Sequence, residues 1–157
     1  MSSFSPLITL HVALGELVAL AVLWMGVELL DTPTQTRITR ALAAAVVLVI
    51  ASWLSYFVGG YYYVNSYGPV KAVITKGPWS WAHKIFMETK EHIFLAGPYI
   101  ATAAAAMIYA FKRELAEDPV VRRTFLICFA VIFVGVALVV GLGVMVSAGY
   151  RVGLAGG

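Results

Sequence analysis

The sequence is poor in the residues from which soluble proteins build their surfaces and disulfide scaffolds their cross-links. Only 12% of its 157 residues are charged, and its one cysteine, Cys128, lies inside an apolar run. A soluble domain carries roughly 25% charged and about 45–50% apolar residues. Here 61% are apolar, and a chain of this size buries only about 70% of its surface when it folds in water. The surplus would face solvent, which excludes a soluble monomer. The same figures exclude a disordered chain, and a single thiol excludes an internal disulfide. The sequence also lacks a G-x-G-x-x-G turn, a phosphate-binding loop, a nucleophile elbow, H-E-x-x-H and C-x-x-C. Nothing sets a Ser or Cys beside a His for nucleophilic catalysis. The segment Met1–Pro6 has no positive charge, and the apolar run after it is too long for a signal peptide, so a retained first span is expected.

What the chain does contain is apolar length. A bilayer core about 30 Å thick needs about 20 apolar residues in a helix. Four segments qualify: about Leu7–Leu30, Ala41–Val64, Ala82–Phe111 and Thr124–Val146. The expected fold is therefore all-α, an integral membrane four-helix up-down bundle in one domain. Asp31–Thr34 and the charged stretch Lys112–Arg123 read as turns, and Asn65–Trp81 as an aromatic, Gly/Pro-containing loop. The eleven basic residues sit between apolar runs, which is a topology signal and excludes nucleic acid as a partner. Six fall in the first and third turns (Arg37, Arg40, Lys112, Arg113, Arg122, Arg123), against five on the other side. That count places both termini outside, in what we expect to be a bacterial inner membrane. Ala51, Ser55 and Gly59, and likewise Ala137 and Gly141, have the spacing of close helix contacts in lipid. Pro98 should kink the third span or free a carbonyl.

Polar residues within the spans carry the functional signal, because a charge at a helix centre costs about 2.5–3.5 kcal/mol on insertion scales. They are His11, Glu16 and Glu28 on the first span, and His83, Lys84, Glu88, Lys90, Glu91 and His92 on the third. His11 and His92 fall at similar depth near one membrane face. First and third helices lie diagonally in an up-down bundle, so two inward imidazoles suit the axial positions of a b-type haem. Gly15, one turn from His11, leaves room for a flat group, and Glu88 or Glu91 can orient a ring N–H. The alternative uses Glu88, Glu91, His92, His11 and Glu16 to bind Zn, Cu or Fe, or to move an ion. A third reading is a structural subunit without chemistry of its own. His83, Lys84 and Lys90 read as interface residues, Glu16 as an interhelical hydrogen-bond partner, and Glu28 as a partner of Arg37 or Arg40.

With four spans and histidines near one face on the first and third, the chain resembles, in architecture, the small four-helix membrane cytochromes and anchor subunits of respiratory and quinol-oxidising complexes. That resemblance implies haem b and electron transfer as a subunit of a quinol-linked complex rather than as a stand-alone enzyme. The partners it implies are the lipid bilayer, quinol, and other membrane or c-type cytochrome subunits.

Overall fold

A computed structural model describes residues 5–156, and every regular element in it is a helix. These are α1 (Pro6–Leu29), α2 (Gln35–Ser66), α3 (Gly68–Lys76), α4 (Glu88–Ala110), α5 (Lys112–Glu117) and α6 (Pro119–Ala155). A π-helical segment, Ala82–Met87, runs directly into α4. Four helices are long and apolar enough to cross a membrane: Pro6–Leu29, Gln35–Ser66, Ala82–Ala110 and Pro119–Ala155. Their starts follow local chemistry. Pro6 and Pro119 occupy first-turn positions, where the missing N–H costs nothing. The Thr34 hydroxyl accepts from the Arg37 N–H, and the Asp118 carboxylate accepts from Val120 and Val121.

α1 packs along α2, α2 also packs on α4, and α1 also packs on α6. The interior comprises two apolar clusters. The larger gathers Val22, Met25, Leu29, Leu48, Ile108 and Phe129 near the α1–α2 turn. The smaller gathers Tyr67, Ile74, Ala82 and Val146, with Trp79, Trp81 and Tyr150 packed on it. The stretch expected to be a loop thus contains a helix. α3 lies on α6, and Gly153 approaches α3 so closely that a Cβ would stand 2.8 Å from the Val73 carbonyl oxygen. Asn65–Trp81 is a packed end of the molecule, because its apolar residues recur at helical rather than random spacing (Val70, Val73, Ile74).

At 32 and 37 residues, α2 and α6 exceed the length a bilayer core requires. The surplus lies at the aromatic end, where both helices run on beyond the start of α1. At the opposite end, Glu28 is only 2% exposed. Its carboxylate accepts from Trp24 Nε1 at 3.0 Å and meets Arg40 at 2.7 Å and Arg37 at 3.5 Å. The expected pairing of Glu28 is met by both arginines. Of the two small-residue stripes, Ala51 and Ser55 are buried, whereas Ala137 and Gly141 are exposed. α4 continues through Pro98, whose carbonyl accepts from the Thr102 hydroxyl at 2.7 Å.

Candidate functional site

Between the two apolar clusters lies a polar layer, crossed in turn by α1, α2, α4 and α6. On α1 the His11 ring lies over Gly59 of α2, where a Cβ would come within 2.7 Å of the imidazole. Only glycine leaves the ring its place. His11 Nδ1 is 3.1 Å from the Ser55 carbonyl and 3.0 Å from the Ser55 hydroxyl. A carbonyl only accepts, so Nδ1 carries the proton and Nε2 is bare. Phe94 of α4 closes the site edge-on, with ring centroids 5.4 Å apart.

α4 contributes the charges. The Lys90 ammonium reaches α6, 3.2 Å from the point where a Cβ of Gly143 would stand. Beside it, Glu91 has a buried oxygen, Oε1, with no hydrogen-bond partner among the described residues. The Tyr63 phenol of α2 lies next to that carboxylate. Further toward the aromatic end Tyr63 stacks on Tyr67, with centroids 5.2 Å apart. The Tyr67 hydroxyl is hydrogen-bonded to His83 Nδ1 at 3.1 Å. His83 is 4% exposed and Tyr67 3%. Burial first, then the neighbouring Tyr63 and Glu91, push the Tyr67 phenol well above its usual range, so it stays protonated. Among the described residues no ion pair forms within this layer. Six titratable groups from α1, α2, α4 and the segments flanking α3 therefore lie together, half-buried or buried, with no ion pair among them. Such an arrangement can hold, exchange and pass protons.

The structure separates the residues singled out from sequence. His11 is in the layer. His92 is exposed, its Nδ1 bonded at 2.6 Å to the Glu88 carbonyl of its own helix. It stands two residues before Phe94, hence roughly 160° around the helix from the side that faces His11. The two imidazoles are at similar level but are not brought together. Glu88 shares the outer face of α4 with His92 and Lys84, in a shallow groove with Ile85, Thr89 and Ile93. Glu91 turns inward and Glu88 outward, so they do not act as one carboxylate set. Glu16, expected to bond another helix, is exposed on α1. It lies about 140° around the helix from His11, five residues away. Gly15 is half-buried with open space where a side chain would go. Among the described residues no three His, Cys, Asp or Glu side chains gather as a metal ion requires.

The sequence reading places Lys90 and His83 at the interface and gives Tyr63 and Tyr67 no part in a site. The signal was present on α4: Ala101, Ala104 and Ile108 mark its buried stripe, and stepping back from Ala101 by threes and fours gives Pro98, Phe94, Lys90 or Glu91, and His83. Charge alone reads as interface chemistry, whereas the helical period places these residues inside. The tyrosines carried no such marker, because their contact depends on α3 folding back over the ends of α2 and α6. No family model, no curated protein and no solved structure matches this chain.

Proposed function

We propose that the chain is an integral membrane protein, an up-down bundle of four spans, whose polar layer exchanges protons with the side of the membrane bearing the aromatic end. In this reading it acts as a membrane subunit of an electron-transfer complex. The observation behind it is that His11, Lys90, Glu91, Tyr63, Tyr67 and His83 lie together with no ion pair among the described residues. Charges kept inside a bundle without ion pairing are costly, and they persist where they serve a proton or ion path. The other half of the interior is apolar down to Glu28, so this chain alone offers an entry chamber rather than a pore. Lipid covers the long apolar flanks, where Leu20, Phe57, Tyr99 and Leu138 are each about 60% exposed.

The test is a pH titration by infrared difference spectroscopy on the protein in lipid nanodiscs. A protonated-carboxyl band that titrates in the wild type should disappear in Glu91→Gln and shift in Tyr63→Phe. Identical spectra for wild type and Glu91→Gln would overturn the proposal.

A haem reading keeps one supporting observation. The bare Nε2 of His11, with Nδ1 anchored on a backbone carbonyl, has the orientation of an imidazole prepared to ligate iron. His92 joins such a site only through another chain. Reduced-minus-oxidised spectra of wild type, His11→Ala and His92→Ala test it, and a haem-replete preparation without a Soret band rejects it.

A further inference from the structure

The outer face of α4 presents a second, independent set of ligating atoms. Glu88 and His92 are one helical turn apart, both exposed, on the side facing away from the rest of the molecule. Among the described residues the Glu88 carboxylate has no ion pair, not even with Lys84 one turn earlier. His92 donates its Nδ1 proton to the Glu88 carbonyl at 2.6 Å, so the ring is held and its bare Nε2 points outward. A carboxylate oxygen and an imidazole nitrogen at i and i+4 lie about 5–6 Å apart at their Cβ atoms and can reach one cation. Two ligands are too few, because zinc-type sites want four, and among the described residues no third His, Cys, Asp or Glu joins them.

We propose that a second copy of this chain completes the site, with Glu88 and His92 from each copy holding one divalent cation of the zinc type. Copies inserted in one membrane share an orientation, so a two-fold axis along the membrane normal lays this stripe on itself in register. Glu88 then faces Glu88 and His92 faces His92. Without a cation the two carboxylates repel. A dication with two carboxylates and two neutral imidazoles is electrically neutral, as a weakly polar boundary demands, and two nitrogens with two oxygens suit tetrahedral zinc. The apolar flank of the same face, Ile85 and Ile93, supplies the contact around it. This inference uses no residue of the interior polar layer, so it stands or falls separately from the proton-exchange reading.

The experiment titrates the full-length protein in detergent micelles with Zn(II), and with Co(II) as a spectroscopic probe, following mass by light scattering. The expected result is one metal per two chains, dimer formation that EDTA reverses, and tetrahedral Co(II) absorption. Glu88→Gln and His92→Ala each delete two of four ligands and should weaken binding at least a hundredfold. Both side chains are exposed, so folding should be kept, with Glu114→Gln as an exposed control that binds normally. No metal uptake, one metal per chain without change of mass, or dimers that persist in both variants would each overturn the proposal. So would a Soret band that depends on His92, since it assigns the face to haem.

Discussion

Both ends of the same helices contain buried charge, but they treat it oppositely. At the α1–α2 turn, Glu28 is answered by Arg37, Arg40 and the Trp24 indole. In the polar layer, Glu91 keeps an oxygen unanswered, Lys90 ends against Gly143, and His11 and His83 have only neutral hydrogen-bond partners. A fully answered charge fixes structure, because removing any member strands the others. An unanswered charge contributes little to the fold and is free to change its protonation. The first is the signature of a clasp between two helices; the second is what the proposed proton exchange requires.

The sharpest way to break this comparison is at the clasp. Glu28→Ala leaves two guanidinium groups facing each other beside the apolar core. Breaking a buried pair costs about 3–5 kcal/mol. Arg40 is 59% exposed, so water recovers part of that loss and about 3 kcal/mol is expected. Chemical denaturation in mixed micelles measures it. A cost below that of every substitution in the polar layer would remove the distinction.

Next in size is Gly59→Leu. The added side chain must occupy the place of the His11 ring, 2.7 Å from the new Cβ. Overpacking of this kind costs about 1–3 kcal/mol. The Nδ1 bond to Ser55 should be lost with it, so the slowly exchanging imidazole N–H signal of His11 should vanish from the NMR spectrum. If that signal persists, the ring does not depend on the glycine.

How far the sequence anticipated all this follows the same divide. Four helices long and apolar enough to cross a membrane, the pairing of Glu28, and His11 as an inward residue could be read directly, because each depends on composition or on partners close in sequence. Arg37 and Arg40 stand across one short turn from Glu28. The polar layer required knowing the rotation of α4, and there the strongest-looking residues, Glu88 and His92, lie on the outer side. An i, i+4 pair establishes that two residues share a face without saying which way that face looks. α3 was hidden for a different reason. Its nine residues are held by packing on α6 rather than by their own propensity, starting with Gly68 and Pro69.

A smaller effect belongs to the link between the layer and the aromatic end. Tyr67→Phe removes one buried hydrogen bond, to His83, and should cost about 1 kcal/mol. The pH dependence has a definite sign. The fold holds the Tyr67 proton more tightly than the unfolded chain does, since its phenol is pushed up by burial, then by Tyr63 and Glu91. Its contribution is therefore complete below the ordinary tyrosine value of about 10 and is lost as pH rises through the folded one. Protection of the α3 amides, taken relative to their intrinsic base-catalysed exchange rate, should fall in that alkaline window in the wild type. In Tyr67→Phe it should already be lower at neutral pH and lack that alkaline step. Equal protection in both proteins would detach α3 from this bond.

The smallest expected effect discriminates most. Glu91→Gln keeps the volume and exchanges one carboxylate oxygen for an NH₂ group. If Glu91 were a second clasp, the substitution would resemble the loss at Glu28 and cost several kcal/mol. It has no cation partner among the described residues, and Oε1 accepts nothing. The charge it brings to the interior is uncompensated, so neutralising it should leave stability unchanged within about 0.5 kcal/mol, or raise it slightly. The Tyr63 phenol can donate to the amide oxygen as it would to the carboxylate. Glu28→Gln and Glu91→Gln should then separate by roughly 2 kcal/mol or more in the same micelle. Their ordering, read from two isosteric changes of identical chemistry, measures the difference between the ends free of cavity effects. Equal losses would mean that both carboxylates hold helices together, and the interior layer would be a second clasp with no proton to exchange.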